Sequence, residues 1–393
     1  MSIEDLPFFQ GFCRMCDDGW QQGWHERNGG NLTYRLGDGE VEAASPFFGA
    51  PSHWVPLGVA EPTMGGEYFM TTGTGCYMRN VLGDPSHSTG IVEVSPAGDA
   101  YRVVWGLEGG GGPTSEFESH LLNHGARCSA DGGQTRVCYH MHGPGIIQMS
   151  YLVPLDDRAF TRRLWQTMTE CVVVFPQGVG VVDWMVPGSS EIARATSAKM
   201  ACYPCVVWAQ HGLFATGQDF DEAFGLAHTV EKAASLYVGA RAANGGSETF
   251  PNVISDDGLR LTCRDFGIVG NEGFLCGDGE GAFRRTADGR TVVGLKMRLL
   301  PGCADEYRRR HDEIWPEMAE MLRGHGVGDY SIFLDAGTGT LYASLTVEDP
   351  ERYARSVDTE VCRRWWRSME SLMETNEDGS PVTEGLECVF RLD

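Results

Sequence analysis

Apolar residues recur with helical spacing from Leu6 to Trp24, and the pattern stops at Asn28-Gly29-Gly30-Asn31, a stretch too rich in Gly and Asn to continue a helix. Short β-branched and aromatic runs at 33–36, 68–72, 90–94 and 102–105, separated by glycines and prolines, predict strands. Pro113-Thr114-Ser115-Glu116 opens a helix with Thr114 or Ser115 as N-cap, Phe117, Leu121 and Leu122 on one face, and Glu116 in the first turn. The pattern then predicts a strand at 137–142, a helix at 160–169, short strands at 172–174 and 179–182, and a helix at 189–200. A strand at 205–211 ending in Gly212 and a long helix at 220–243 follow. Helices and strands so intermixed predict one layered α/β domain over residues 1–275.

Residues 276–291, with Gly-Asp-Gly-Glu-Gly-Ala and Ala-Asp-Gly-Arg, are polar and Gly-rich and read as a linker. Beyond it the pattern restarts over 292–393: a strand at 292–299, a helix at 305–323, strands at 330–335 and 341–347, a helix at 359–373 and a strand at 387–392. The order β-α-β-β-α-β predicts a ferredoxin-like α+β domain.

A chain of 393 residues is longer than single cores usually grow, which agrees with two domains. It has no apolar run long enough to span a bilayer, and its first residues are acidic rather than those of a secretory signal, so a cytoplasmic location without membrane contact is expected. A formal net charge of −23 argues against a nucleic-acid partner, which needs clustered Lys and Arg. The 13 cysteines are scattered, as suits a reducing compartment. Cys13-x-x-Cys16 and Cys202-x-x-Cys205 have the form of a split zinc ribbon, but their separation favours buried small apolar residues.

His140 and His142, two apart in a predicted strand, project to one face and can offer two imidazoles to one metal. His211 supplies a third and Glu116 a nearby carboxylate. Three protein ligands leave a position open for water or substrate, the mark of a catalytic zinc site. Read alone, the His-x-His pair also fits two partly exposed strand histidines. Asn28 to Asn31, Thr72-Gly73-Thr74-Gly75 and Ser115 at a helix start form three anion-friendly loops, each ordinary by itself and together suited to a phosphorylated substrate.

Trp24-His25-Glu26-Arg27-Asn28-Gly29-Gly30-Asn31-Leu32-Thr33, Pro113-Thr114-Ser115-Glu116, His140-Met141-His142, Trp165 through Thr169-Glu170-Cys171 and Gln210-His211-Gly212 resemble the class II, zinc-dependent aldolases, most closely the rhamnulose-1-phosphate aldolases. The resemblance runs from about residue 6 to 275. It implies an α/β/α layered domain with a central, mainly antiparallel sheet, and one zinc ion held by His140, His142 and His211. It further implies Glu116 as the proton-transfer carboxylate, a phosphate seat at Asn28, Gly30, Asn31, Thr74 and Ser115, and Glu170 as a second acid acting across a subunit boundary in a tetramer. The products implied are dihydroxyacetone phosphate and lactaldehyde. His25, Met141 and Thr74 depart from the family pattern; Thr74 keeps its hydroxyl, Met141 is expected to face away from the metal, and His25 has no assigned role.

In the second domain Tyr307, His311 and Trp315 share a predicted helix face and can be an aromatic core stripe. The stretch from Glu306 to Glu317, with Tyr330 and Cys362-Arg363-Arg364-Trp365-Trp366, is similar to the L-rhamnose mutarotases over about residues 293–393. That resemblance implies a dimeric α/β barrel arrangement, His311 as general acid and base, Tyr307 and Tyr330 orienting sugar hydroxyls, and Trp365 or Trp366 covering the apolar sugar face. Together the two resemblances imply a homo-oligomer with sugar and sugar-phosphate substrates. Two alternatives stand beside this reading: an aldolase or 4-epimerase for another ketose phosphate with a C-terminal assembly domain, and a non-catalytic zinc- or sugar-binding assembly protein.

Overall fold

The strand runs of the first 275 residues pair into one sheet, because each has backbone donors and acceptors that only a neighbouring strand can satisfy. The chain is seen in a computed structural model that describes residues 2–275, 286, 290–349, 352, 353, 355–376, 378–386 and 388. It divides into two compact units, Met1–Leu275 and Cys276–Asp393. Strands of the first are β1 (Asn31–Arg35), β2 (Val55–Pro56), β3 (Tyr68–Thr72), β4 (Thr89–Val94), β5 (Ala100–Gly106), β6 (Val137–Met141), β7 (Gly180–Val182), β8 (Cys205–Trp208) and β9 (Gly212–Gly217). Their order is β2-β5-β4-β3-β1-β6-β9-β8-β7. Only β7 and β8 run parallel; the other neighbours are antiparallel.

Helices cover both faces of this sheet. Tyr139, Met141 and Leu213 face Phe9 and Phe12 of the helix Pro7–Gln21 and the small residues of Phe220–Ala243. Cys138, Val206 and Phe214 face Ile192 and Met200 of the helix Ser190–Met200, with Ala126 of Phe117–Asp131 beside them. Phe12 and Phe214 are fully buried, and each such ring contributes about 2 kcal/mol.

Several expectations need correction. Residues Glu170–Val174 form a short helix rather than a strand, with Cys171 and Val172 in the core. Glu116 is the N-cap residue of Phe117–Asp131, at φ −101° and ψ 17°, not a residue of its first turn. The strand expected at 205–211 ends at Trp208; Ala209 to His211 form a turn, and Gly212 opens β9. Gly212 is required there, since a Cβ would lie 2.3 Å from the Met141 carbonyl oxygen. The helices Asp38–Ala44, Pro85–Ser88, Pro144–Met149 and Asp256–Phe266 lie outside the expected elements. Asp38–Ala44 has Glu40 accepting from the Gly37 N–H at 2.9 Å, and Asp256–Phe266 is capped by Ser255.

The second unit has β10 (Thr291–Arg298), β11 (Val327–Asp335), β12 (Thr340–Val347) and β13 (Glu384–Leu386), in the antiparallel order β11-β12-β10-β13. This is the ferredoxin-like order. The helix expected at 305–323 is two, Ala304–Asp312 and Pro316–Gly324, because Pro316 lacks the N–H that continuity requires. These helices and Glu360–Met369 cover one sheet face around Met297, Leu341, Ala343 and Trp365. The opposite face presents Phe333 and Tyr342, which are 63% and 40% exposed. The expected linker at 276–291 and strand at 387–392 lie almost wholly outside the described residues. Among the described residues no helix is long and apolar enough to cross a membrane.

Candidate metal centre and sugar site

Sheet topology brings the loops of the first unit to one place. Asn31, at the start of β1, pairs with His140 near the end of β6. On its other side β1 meets the end of β3, where the Leu32 N–H donates to Thr72 Oγ1 at 3.3 Å. Beyond β3, Gly73 bridges to Pro113 and the Thr74 N–H donates to the Gly112 carbonyl. The segments 28–31, 72–75 and 113–116 therefore converge beside the end of β6.

His140 and His142 do share a face, and His211 reaches them from the β8–β9 turn. Their Nε2 atoms lie 3.2 Å (His140–His142), 3.3 Å (His140–His211) and 3.1 Å (His142–His211) apart. Among the described residues these three form the metal-capable group. Neighbouring groups fix the tautomers: His140 Nδ1–H donates to the Leu213 carbonyl at 3.1 Å, and His142 Nδ1–H donates to Glu26 Oε1 at 2.7 Å. Both Nε2 lone pairs are thus left facing inward. Burial holds His140 well below the ordinary histidine range, and burial above all brings His211 down to about 4. Neutral imidazoles with converging lone pairs repel one another unless a cation lies among them, so the donor set fits a divalent metal. His211 is held by Gln210, which sits at φ +55° with its backbone N–H donating to Ser150 Oγ at 2.9 Å. A cavity of about 480 Å³ lined by Glu26, His142, Gln210 and His211 opens beside the cluster.

Glu26 is a residue whose role the sequence reading missed. It should raise metal affinity by polarising His142, as carboxylate partners of ligand histidines do. Glu26→Gln is expected to weaken metal binding about tenfold, measured by competition with a chromogenic chelator; unchanged affinity would remove this role.

Glu116 is buried, with its Oε2 3.6 Å from His140 Nε2 and accepting from Asn31 Nδ2 at 2.8 Å. Burial raises its carboxyl above the ordinary range, against the pull of Asn31. Asn31, expected on phosphate, thus commits its carboxamide to Glu116. Asn28, Thr74 and Ser115 are exposed at the converging loops, and Gly30 takes φ +72°. A Cβ on Gly30 would lie 2.3 Å from His25 Nδ1. His25 is buried, donating from Nδ1 to the Gly29 carbonyl at 3.1 Å and paired through Nε2 with the Tyr139 hydroxyl at 2.7 Å. Its role is to anchor the Asn28–Asn31 loop to the sheet. Thr74 lies in the loop as expected, and Met141 is buried on the sheet face opposite His140.

Glu170 is exposed at the start of its short helix, and no hydrogen bond or ion pair among the described residues joins it to the histidine cluster. Cys13, Cys16 and Cys205 are buried free thiols and Cys202 is exposed; none belongs to a metal-capable group among the described residues.

In the second unit one cavity of about 680 Å³ is lined by Tyr307, His311, Tyr330, Trp365 and Trp366, so all five expected residues meet. His311 Nδ1–H donates to the Tyr307 carbonyl at 3.1 Å, which leaves the lone pair on Nε2. The Tyr307 ring lies 4.2 Å from the imidazole and Trp365 meets it edge-on at 5.4 Å. A register shift between Gly328 and Ser331 contains Tyr330 and puts Asp329 at φ +46°; such bulges re-aim side chains.

Residues 10–238 match the family described as class II aldolase and adducin N-terminal domain, and residues 292–392 match L-rhamnose mutarotase. A rhamnulose-1-phosphate aldolase of Mannheimia succiniciproducens is 41% identical over 269 residues, spanning 68% of this chain and 97% of its own length. One from Escherichia coli is 40% identical over 268 residues, spanning 68% and 96%. A sugar-phosphate aldolase structure from Thermotoga maritima superposes with a TM-score of 0.50 at 26% identity, covering 60% of this chain and 95% of that one. Class II aldolases are metal-dependent, which agrees with the donor set above. The chain belongs to the class II aldolase family, with an L-rhamnose mutarotase domain joined to it at residues 292–392.

Proposed function

We propose that the chain serves L-rhamnose catabolism twice, cleaving L-rhamnulose 1-phosphate to dihydroxyacetone phosphate and L-lactaldehyde and interconverting the anomers of L-rhamnose. The observation that carries this reading is the agreement of two separate units on one sugar: an aldolase unit 41% identical to a rhamnulose-1-phosphate aldolase and a rhamnose mutarotase unit. The metal is zinc in this reading. Tetrahedral zinc with nitrogens at about 2.0–2.1 Å separates its ligand atoms by about 3.3 Å, close to the spacings of the three Nε2 atoms. When bound it supplies Lewis acidity for the negative charge that develops as the C3–C4 bond breaks.

The chain's own residues do the rest. Asn28, Gly30, Thr74 and Ser115 offer N–H and hydroxyl donors to the phosphate. Glu116 delivers a proton to C3 of the enediolate. Glu170 of a neighbouring copy takes the proton of the C4 hydroxyl as the aldehyde forms, which makes a homo-oligomer, a tetramer of aldolase units, part of the active site. The exposed sheet face of the second unit, with Phe333 and Tyr342, is the dimerising face in this reading, and the protein works in the cytoplasm. In the second unit His311 removes the proton of the anomeric hydroxyl and returns one to the ring oxygen, while Trp365 and Trp366 cover the apolar sugar face.

Coupled detection of dihydroxyacetone phosphate tests the substrate. Turnover of L-rhamnulose 1-phosphate by the full chain is expected to exceed that of L-fuculose 1-phosphate by about tenfold or more, the size of a preference set by hydroxyl contacts. Equal or better turnover of another ketose 1-phosphate would reassign it.

A further inference from the structure

We propose that His120, backed by Thr33 and His124, is a positioning residue that holds the Asn31 carboxamide so that its N–H faces the Glu116 carboxylate. The inference rests on the reading of Glu116 as the proton-transfer group. Glu116, His120 and His124 follow one another at four-residue spacing along one face of the helix Phe117–Asp131, and all three are buried. His120 Nε2 makes a close hydrogen bond to Asn31 Oδ1, and Asn31 Nδ2 donates to Glu116 Oε2 at 2.8 Å. His120 Nδ1 lies 2.8 Å from Thr33 Oγ1, which lies 2.9 Å from His124 Nε2.

One assignment of protons satisfies the whole chain. The carboxylate can only accept, so Asn31 must turn its N–H to Glu116 and its oxygen to His120. His120 Nε2 must then carry a proton. Burial brings this imidazole down to about 3, against the pull of the Cys138 backbone carbonyl, so it is neutral with a single N–H, and with Nε2 carrying that proton its Nδ1 accepts from the Thr33 hydroxyl. Thr33 Oγ1 in turn accepts from His124 Nε2–H. This leaves His124 Nδ1 as a bare lone pair, and that buried atom has no hydrogen-bond partner. Every bond therefore points the same way, from His124 to the carboxylate. A directional chain of this kind in a low-dielectric interior strengthens its final bond. Without His120 the Asn31 amide is free to rotate and present its oxygen to Glu116, which would repel the carboxylate from its working position.

The test uses full-length protein with His120→Leu, His120→Gln and Thr33→Val, each also combined with Glu116→Gln. The readouts are kcat, KM, bound zinc, and exchange of the C3 protons of dihydroxyacetone phosphate with deuterated water, which follows proton transfer alone. His120→Leu is expected to lower kcat and exchange roughly 30-fold, part of the contribution a general acid makes, with KM within about twofold and zinc unchanged. His120→Gln keeps an N–H near the Nε2 position and should recover most of this loss. Thr33→Val removes both the donor to His120 Nδ1 and the acceptor of His124 Nε2–H and should cost a few-fold, which also provides a reading if His120→Leu does not fold. In the Glu116→Gln background, at high enzyme concentration, these changes should cost nothing further. Equal losses in both backgrounds, or full exchange in both His120→Leu and Thr33→Val while Glu116→Gln is inactive, would overturn the proposal alone. Wild-type exchange in Glu116→Gln itself would overturn the reading of Glu116 and the proposal with it.

Discussion

Glu116→Gln is expected to lower kcat for sugar-phosphate cleavage by about 10³-fold or more, in the upper range of general acid–base effects, while bound metal stays at the wild-type level. The amide has the size of the carboxylate and keeps an oxygen to accept from Asn31 Nδ2, so the packing of the buried site survives. It cannot carry a proton to carbon. Glu116 is also not among the three convergent metal donors, its Oε2 standing 3.6 Å from His140 Nε2, so the metal has no reason to leave. Steady-state kinetics with metal analysis of the same sample checks both halves. Turnover within about tenfold of wild type would remove Glu116 from the chemistry, and loss of the metal would make it a ligand instead.

The parts of this site that could be read in the sequence are those that lie close along the chain. His140 and His142 share a strand face by simple alternation, and Tyr68–Thr72 and Phe220–Ala243 have the bounds that flanking Gly, Asp and Asn residues indicate. Their hydrogen-bond partners come from far away: Glu26 meets His142 across 116 positions, and Asn31 meets His120 across 89. Sheet pairing alone makes these neighbours. A local signal for part of the relay was present, since Glu116, His120 and His124 repeat at helical spacing. The mistaken strand at 172–174 has a related cause. Three consecutive valines favour extended backbone, but there the core position of Cys171 and Val172 outweighs that preference. In Asp256–Phe266 the first-turn Gly258 conceals a helix, and only the Ser255 cap and the terminal Gly267 at φ +66° mark its ends.

His311→Ala is expected to reduce L-rhamnose anomer exchange to the uncatalysed rate, a loss of about 10²–10⁴-fold, and to leave aldol cleavage unchanged. Exhaustive chelation should do the reverse, abolishing cleavage and sparing exchange. The crossing follows from construction: the metal donors all belong to the first unit, every residue lining the mutarotase cavity belongs to the second, and no metal-capable group occurs there among the described residues. The imidazole is suited to its task because the Tyr307 carbonyl fixes the proton on Nδ1 and Tyr307 and Trp365 enclose the ring. Burial lowers His311 below its ordinary value of 6.5, against that carbonyl. The neutral, proton-accepting form then persists to lower pH, so exchange should hold its plateau below pH 6.5 and fall only under more acid conditions. Saturation-transfer NMR of the anomeric protons reads exchange in the variant, with chelator and across pH, and coupled detection of dihydroxyacetone phosphate reads cleavage in the same samples. Exchange that survives in His311→Ala would assign the base elsewhere in the cavity, and exchange lost on chelation would place a metal in a unit that shows no ligands for one among its described residues.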